Sequence, residues 1–314
     1  MSKKQVQAYN ETQAAPLLKR MAKYKHIYVI LIPTLLFYLI FCYLPMAGNI
    51  MAFQKYSITK GIFRSEFVGL KNFKSFLTAY NFWQVLKNTL LINIYDLIFG
   101  FPAPIILALL LNEIKNTAFK KTVQTITYMP HFISTVVIAS MVLSFVSSEG
   151  LINQIREIFG LESISFMIMP QYFRTIYVSS NIWQTIGWGS IIYIAALAGV
   201  DQELYEAAVI DGAGRWKQML HVTLPGITPT IVILLVMRIG QLLSVGYEKI
   251  ILLYNPTVYE TADVISTYVY RRALLEGGNY GYSAAVGMFN SIINFVLLIT
   301  ANRISKRISG GGLW

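Results

Sequence analysis

A chain of 314 residues that is 55% hydrophobic, 14% aromatic and only 13% charged departs from soluble domains, where about a quarter of residues are charged, and reads as an all-α polytopic membrane protein. Its net charge of +11 would suit nucleic acid, but the basic residues are scattered through loops and tails between apolar runs, which excludes a soluble basic domain and that partner. The single cysteine, Cys42, excludes an intrachain disulfide; His26, His131 and His221 lie far apart with no cysteine beside them, so no metal site is expected.

Residues 1–26 form a basic tail with Lys3, Lys4, Lys19, Arg20, Lys23 and Lys25. The apolar run Ile27 to Phe53 is too long for a signal-peptide core and is read as an uncleaved first span, its amino terminus in the cytoplasm. Pro33 and Pro45 are candidate kinks. The first unit, 27–81, ends in a polar extracytoplasmic segment. Five further spans are expected within Phe82–Leu111, Phe119–Val146, Ile176–Val200, Thr228–Leu253 and Tyr282–Ala301, each long enough for a hydrocarbon core of about 30 Å. Six spans put both termini on the cytoplasmic face, with residues 304–314 as a second tail. Lys55, Lys60, Arg64, Lys71 and Lys74 make the first outer segment more basic than the positive-inside rule favours, and the amino-terminal cluster outweighs them.

Between the fourth and fifth spans, residues 201–225 interrupt the apolar pattern. Asp201 is placed to cap a helix whose first turn carries Glu203 and which runs to about Ile210. Asp211-Gly212 is a turn pair in which glycine takes the left-handed conformation. A second short helix is expected from Gly214 to His221, with Trp216, Met219 and Leu220 on one face, stopped by Pro225. Ala207 and Ala208 leave the first helix bare enough for close backbone approach, and Glu206 offers a charged acceptor beside them. Trp216, Met219 and Leu220 are either anchors for a partner or packing against the spans. No GxxxxGK[ST] phosphate loop occurs in the chain, so a nucleotide, if used, is bound elsewhere.

This stretch resembles the EAA loop of permease subunits of binding-protein-dependent ABC importers: Glu206, Ala207, Ala208, Gly212, Leu224 and Pro225 match in spacing, with Val222 in the isoleucine position. The version Asp211-Gly212-Ala213 is similar to the sugar-transporting branch of MalF/MalG type, with Met219 where that branch commonly has phenylalanine. FVGLKNF from Phe67, YMPHFIS from Tyr128, GLIN from Gly150, ISTYVYR from Ile265 and the closing NRISKRISGGGLW resemble the LplB-like polysaccharide permeases. The resemblance implies a type I importer permease fold with an ABC transmembrane domain over 82–303. It also implies an ATPase-coupling role for the elbow, Asp211, Ala213, Trp216 and Met219 included. The implied partners are a second homologous permease, two ABC ATPases that hold the ATP and magnesium, and an extracytoplasmic solute-binding protein delivering an oligosaccharide. The chain would be no enzyme and carry no cofactor, and would sit in a bacterial plasma membrane.

Polar side chains in the middle of a span tend to face a protein interior. The fourth span offers Asn181, Gln184, Thr185 and Trp188, and the fifth offers Arg238 and Gln241; amides with an aromatic platform suit a sugar's hydroxyl edge and CH face. Helix-to-helix glue is the alternative for each. Arg238 requires a partner, with Asp96, Glu248 or an acidic group on the cargo as candidates, and an acidic oligosaccharide such as a uronate follows if no protein partner exists. Asp96, Asn290 and Asn294 are weaker candidates. Competing readings are an ion-coupled secondary transporter, against which the absence of a visible repeat argues, a membrane enzyme, and the same architecture with a non-sugar cargo.

Overall fold

A computed structural model describes residues 24–275, 277–309 and 312–313. The basic tail expected over 1–26 lies, up to residue 23, outside the described residues. In chain order the described elements are α1 (Lys25–Phe53), a two-stranded antiparallel ribbon of β1 (Gln54–Lys55) and β2 (Glu66–Phe67), α2 (Lys71–Leu77), α3 (Phe82–Glu113), α4 (Thr117–Phe132), α5 (Thr135–Phe145), α6 (Leu151–Ile158), α7 (Pro170–Leu197), α8 (Gln202–Ile210), α9 (Arg215–Ile239), α10 (Tyr247–Leu253), α11 (Tyr259–Ala262), α12 (Ile265–Tyr270) and α13 (Tyr280–Ser309). By length and composition α1, α3, α9 and α13 each suffice to cross a bilayer; α4 with α5 and α7 with α8 are pairs bent by 103° and 75°, giving six spans if each pair is counted as one.

At three places a proline follows a widened turn and the helix continues through it. π-helical turns lie at Leu39–Tyr43, Asp96–Gly100 and Met219–Thr223, and the second residue after each is a proline: Pro45, Pro102 and Pro225. A proline ring collides with the carbonyl four residues back and offers no N–H to it. A wider turn carries that carbonyl aside, so the helix continues. Pro225 therefore does not stop the second elbow helix, as the sequence suggests; α9 runs through it without interruption from Arg215 to Ile239.

Two span expectations are corrected. The third, Phe119–Val146, is not one helix. Pro130 sits in a 3-10 turn, Ile133 and Ser134 are extended, and the Ser134 hydroxyl accepts from the Val137 N–H to start α5 afresh. The fifth, Thr228–Leu253, starts earlier and ends at Ile239. Beyond it, residues 240–279 fold back among the spans. Asn88 of α3 donates to the carbonyls of Glu260 and Asp263 at 2.9 and 3.0 Å, Thr261 to that of Pro170 at 2.6 Å, and Asn255 to that of Met167 at 2.7 Å. Such buried ties are costly to leave unmade. Between them Ile92, Ile138, Phe173, Ile250, Leu253 and Val258 form the main core. α1 stays outside it: the α-helical stretch Lys25–Tyr38 buries no residue, and the final turns Ala47–Phe53 pack on α13.

One glycine sets how closely two spans approach. At Gly187 of α7 an added Cβ would fall well inside contact distance of the Thr127 carbonyl and the Tyr128 nitrogen of α4, all of them backbone atoms. Gly187→Ala should cost about 3 kcal/mol, the upper part of the usual overpacking range, read as a lower melting temperature of the purified protein. Gly287→Ala in α13, whose Cβ would meet nothing within 4 Å, should be neutral or slightly stabilising.

Candidate functional site

Two regions gather the residues singled out in the sequence. The first is the elbow formed by α8 and the start of α9. The Asp201 carboxylate accepts from the Glu203 N–H at 3.0 Å and caps α8. At the other end Gly212 has φ +73°, with Gly212 N–H bonded to Val209 O at 3.0 Å and Ala213 N–H to Ala208 O at 2.8 Å. That is the paired-bond ending which requires a left-handed residue, normally glycine. Gln218 then donates to Ala213 O at 2.7 Å, bracing the start of α9 against the turn.

The elbow is fastened to the bundle on one side only. The Tyr205 hydroxyl bonds the Thr223 hydroxyl at 3.0 Å, and Tyr205 and Val222 pack on a core of Ile105, Ala108, Tyr193, Leu197, Val200 and Ile227. Glu206, Ala207, Asp211 and Pro225 are exposed, Ala208, Ala213, Met219 and Leu224 half-buried. Of the two roles open for the apolar trio, Trp216 and Leu220 point away from the spans, Trp216 being 73% exposed, whereas Met219 is half sheltered. With Leu204, Val209 and Ile210 also exposed, an acidic group is presented inside an apolar surface, the pattern of a protein-docking face.

The second region is a cavity of about 390 Å³ between α3, α7, α9 and the folded-back strip 244–249. Its fixed point is Asp96, buried in the π-turn of α3. Asn181 of α7 donates to Asp96 Oδ1 at 2.9 Å, and Arg238 of α9 forms a salt bridge with Oδ2. Gly100 makes room for this, since a Cβ there would touch Asp96 Oδ1 at 2.7 Å. Three spans thus meet on one carboxylate, and Arg238 finds its partner in the protein. Asn294 is likewise structural, tying α13 to the Leu243 N–H and the Ser244 hydroxyl at 2.9 Å each. Asn290 Oδ1 is buried without a hydrogen-bond partner.

Of the six residues proposed to meet cargo, Asn181, Gln184 and Arg238 line this cavity and three do not. Thr185 is turned to its own helix, bonding Asn181 O at 2.8 Å. Gln241 is exposed just past the end of α9. Trp188 lies on the same face of α7, but there the 129–132 turn crosses that face: the His131 ring stacks on Trp188 at 4.5 Å and Phe132 meets it edge-on. Trp188 thus packs against the turn that breaks the third span and does not line the cavity.

The cavity also contains residues that sequence reasoning missed. Asn93 and Tyr177 face it. Lys249, 6% exposed, directs Nζ to Gln184 Oε1 at 3.2 Å and lies 5.8 Å from the centre of the Tyr177 ring. With 228–253 expected as one continuous span, Lys249 is not singled out. The available signal was Gly240 with Ser244 and Gly246, which marks a break before it.

Residues 100–310 match the family described as "Binding-protein-dependent transport system inner membrane component". The chain is 45% identical over 291 residues to Protein LplB of Bacillus subtilis (strain 168), covering 92% of this chain and 91% of that protein. It is 43% identical over 299 residues to the polygalacturonan/rhamnogalacturonan transport system permease protein YteP of the same organism, covering 95% and 93%. Among solved structures it resembles a chain in the crystal structure of a bacterial alginate ABC transporter in complex with alginate pentasaccharide-bound periplasmic protein, with TM-score 0.87, 44% identity, and coverage of 95% of this chain and 99% of that one.

Proposed function

This chain belongs to the family of binding-protein-dependent transport system inner membrane components, a multi-pass membrane protein of type I importer permease fold, and from that premise we propose that it is the permease subunit of an ATP-driven importer of oligosaccharides, acidic ones included. The observation that carries the reading is the elbow. A surface bearing Glu206 and Trp216 faces outward while Tyr205 and Val222 lock its back to α3, α7 and α9, so force applied to it reaches spans that line the cavity.

In this reading the elbow and both termini face the cytoplasm, and Glu206 accepts a charge-assisted hydrogen bond from a basic residue of one ATPase. A second, related permease completes the pathway, two ATPases bind and hydrolyse ATP with magnesium, and an extracytoplasmic binding protein brings the saccharide. This chain supplies no catalytic group and holds no cofactor. Closure of the ATPases around ATP moves the elbow as a rigid body and turns α7 and α9, switching the side to which the cavity opens. Each ligand shifts this equilibrium only by its difference in affinity for the two states.

The cavity supports a saccharide cargo, with the Asn181 and Gln184 amides beside aromatic Tyr177, and relatives named for polygalacturonan and alginate favour acidic chains. The test is reconstitution with sister permease, ATPases and binding protein in vesicles. Saccharide presented on the binding protein should raise ATP hydrolysis severalfold and enter only with ATP inside the compartment that the elbow faces. Uptake driven by an ion gradient without ATPase subunits would favour a secondary transporter and overturn the proposal.

A further inference from the structure

One buried cation in the cavity is bonded to no anion. Its wall carries two cations, Arg238 and Lys249, and two carboxylates, Asp96 and Glu248. Asp96 is committed to Arg238 and Asn181. Glu248 precedes Lys249 on α10, so it projects about 100° away around the helix, is exposed, and forms no ion pair among the described residues. Lys249 therefore has only neutral neighbours within bonding range, Gln184 Oε1 at 3.2 Å and the Tyr177 ring. An ammonium has three donors, and burying one without an anion is costly unless something supplies the missing charge.

The fold places that charge deliberately. Ile250 and Leu253 on the same short helix are buried in the main core, and Val245 just before it is buried as well. The packing of α10 thus sets the position and direction of Lys249, and Asn255, just past the end of the helix, is tied to Met167 O. A lysine that served only to cover apolar surface would extend its stem along the wall and leave Nζ in water; this one does the reverse.

We infer that Lys249 seats a carboxylate of the transported saccharide, with the Gln184 amide turned to the second carboxylate oxygen and Tyr177 beneath the sugar ring. This deepens the proposed function and rests on it. Arg238 is excluded from that role because its charge is already balanced before cargo arrives. The cavity, near the small end of ligand pockets of about 300–1,000 Å³, fits a short stretch of an acidic chain, and selection for acidic units at this point follows from one unbalanced ammonium.

The experiment uses the complete reconstituted transporter with oligogalacturonate as probe, and with the same oligosaccharide reduced at its carboxyl groups. Lys249→Gln should lower oligogalacturonate uptake at least tenfold, and Lys249→Arg should recover most of it; co-purification of the ATPases checks that each variant folds and assembles. Lys249→Gln should lower uptake of the reduced sugar far less than uptake of oligogalacturonate, and equal losses for the two sugars overturn the inference. Undiminished oligogalacturonate uptake by Lys249→Gln, or equal loss in the Gln and Arg variants, overturns the inference. A wild-type transporter that imports a neutral oligosaccharide but not oligogalacturonate overturns it and removes acidic cargo from the proposed function while leaving the oligosaccharide importer standing; one that imports no saccharide overturns both.

Discussion

Replacing Glu206 with lysine should abolish saccharide uptake while the protein still inserts in the membrane in normal amount. Glu206 is exposed on α8 and makes no hydrogen bond or ion pair within the described part of the chain, so its loss removes nothing from the fold. In the proposed coupling role its value lies in the contact with the ATPase. Removing one partner of a desolvated charge pair at an interface costs about 2–5 kcal/mol, and a lysine adds repulsion toward the basic residue it faces. A complex weakened by that much loses roughly thirtyfold to several thousandfold in affinity, which co-purification of the ATPase reads directly. Glu206→Gln should lie between, keeping the shape and one acceptor. Normal uptake by Glu206→Lys would remove the elbow from the coupling path. Trp216→Ala, which truncates the largest exposed apolar group of the elbow, is expected to weaken the same contact without charge reversal, as buried aromatic anchors do at interfaces.

The elbow was legible in the sequence because its determinants are local. Asp201 as cap, Gly212 in the left-handed region and the end of α8 at Ile210 all follow from side chains within a few residues of the place they act. The six-span architecture was legible for a similar reason, since apolar run length decides it. What failed depended on contacts between distant segments. Pro225 reads as a stop until the π-turn before it is seen, and the turn leaves no trace in composition. Lys249 gives no sign in the sequence that it faces a cavity, because that follows only from residues 240–279 folding back into the bundle, where Glu260 and Asp263 are held by Asn88 of α3, 172 and 175 positions earlier. Trp188 has the right helical phase for the cavity, but the break at Ile133 and Ser134 brings His131 over its face. Hydrophobic periodicity gives a residue's phase on its helix; it does not say which other element crosses that phase.

Arg238→Met should be the most destabilising single change in the cavity, and restoring neutrality with Asp96→Leu in the same chain should recover much of the loss. The asymmetry comes from burial. The Asp96 side chain is 10% exposed and that of Arg238 33%; a bared carboxylate keeps only the Asn181 amide, whereas a bared guanidinium can reach cavity water. Breaking a buried pair from one side costs about 3–5 kcal/mol, while removing both partners is often close to neutral. Arg238→Met is expected at the upper end of that range and Asp96→Leu below it, since the arginine is partly solvated already. The double variant should lie nearer wild type than either single, giving a coupling energy of about 2 kcal/mol or more by a double-mutant cycle on melting of the purified transporter. Additive single effects would mean that the two charges do not stabilise one another. The same pair has a transport consequence. Asp96→Leu leaves Arg238 and Lys249 both unbalanced, so an acidic oligosaccharide should be held more tightly and released more slowly. Arg238→Met leaves Asp96 facing Lys249 across the cavity, and the carboxylate then competes with the cargo for the ammonium. Acidic uptake should therefore fall more in Arg238→Met than in the double variant, a ranking that stability alone does not produce when uptake is normalised to the amount of assembled complex.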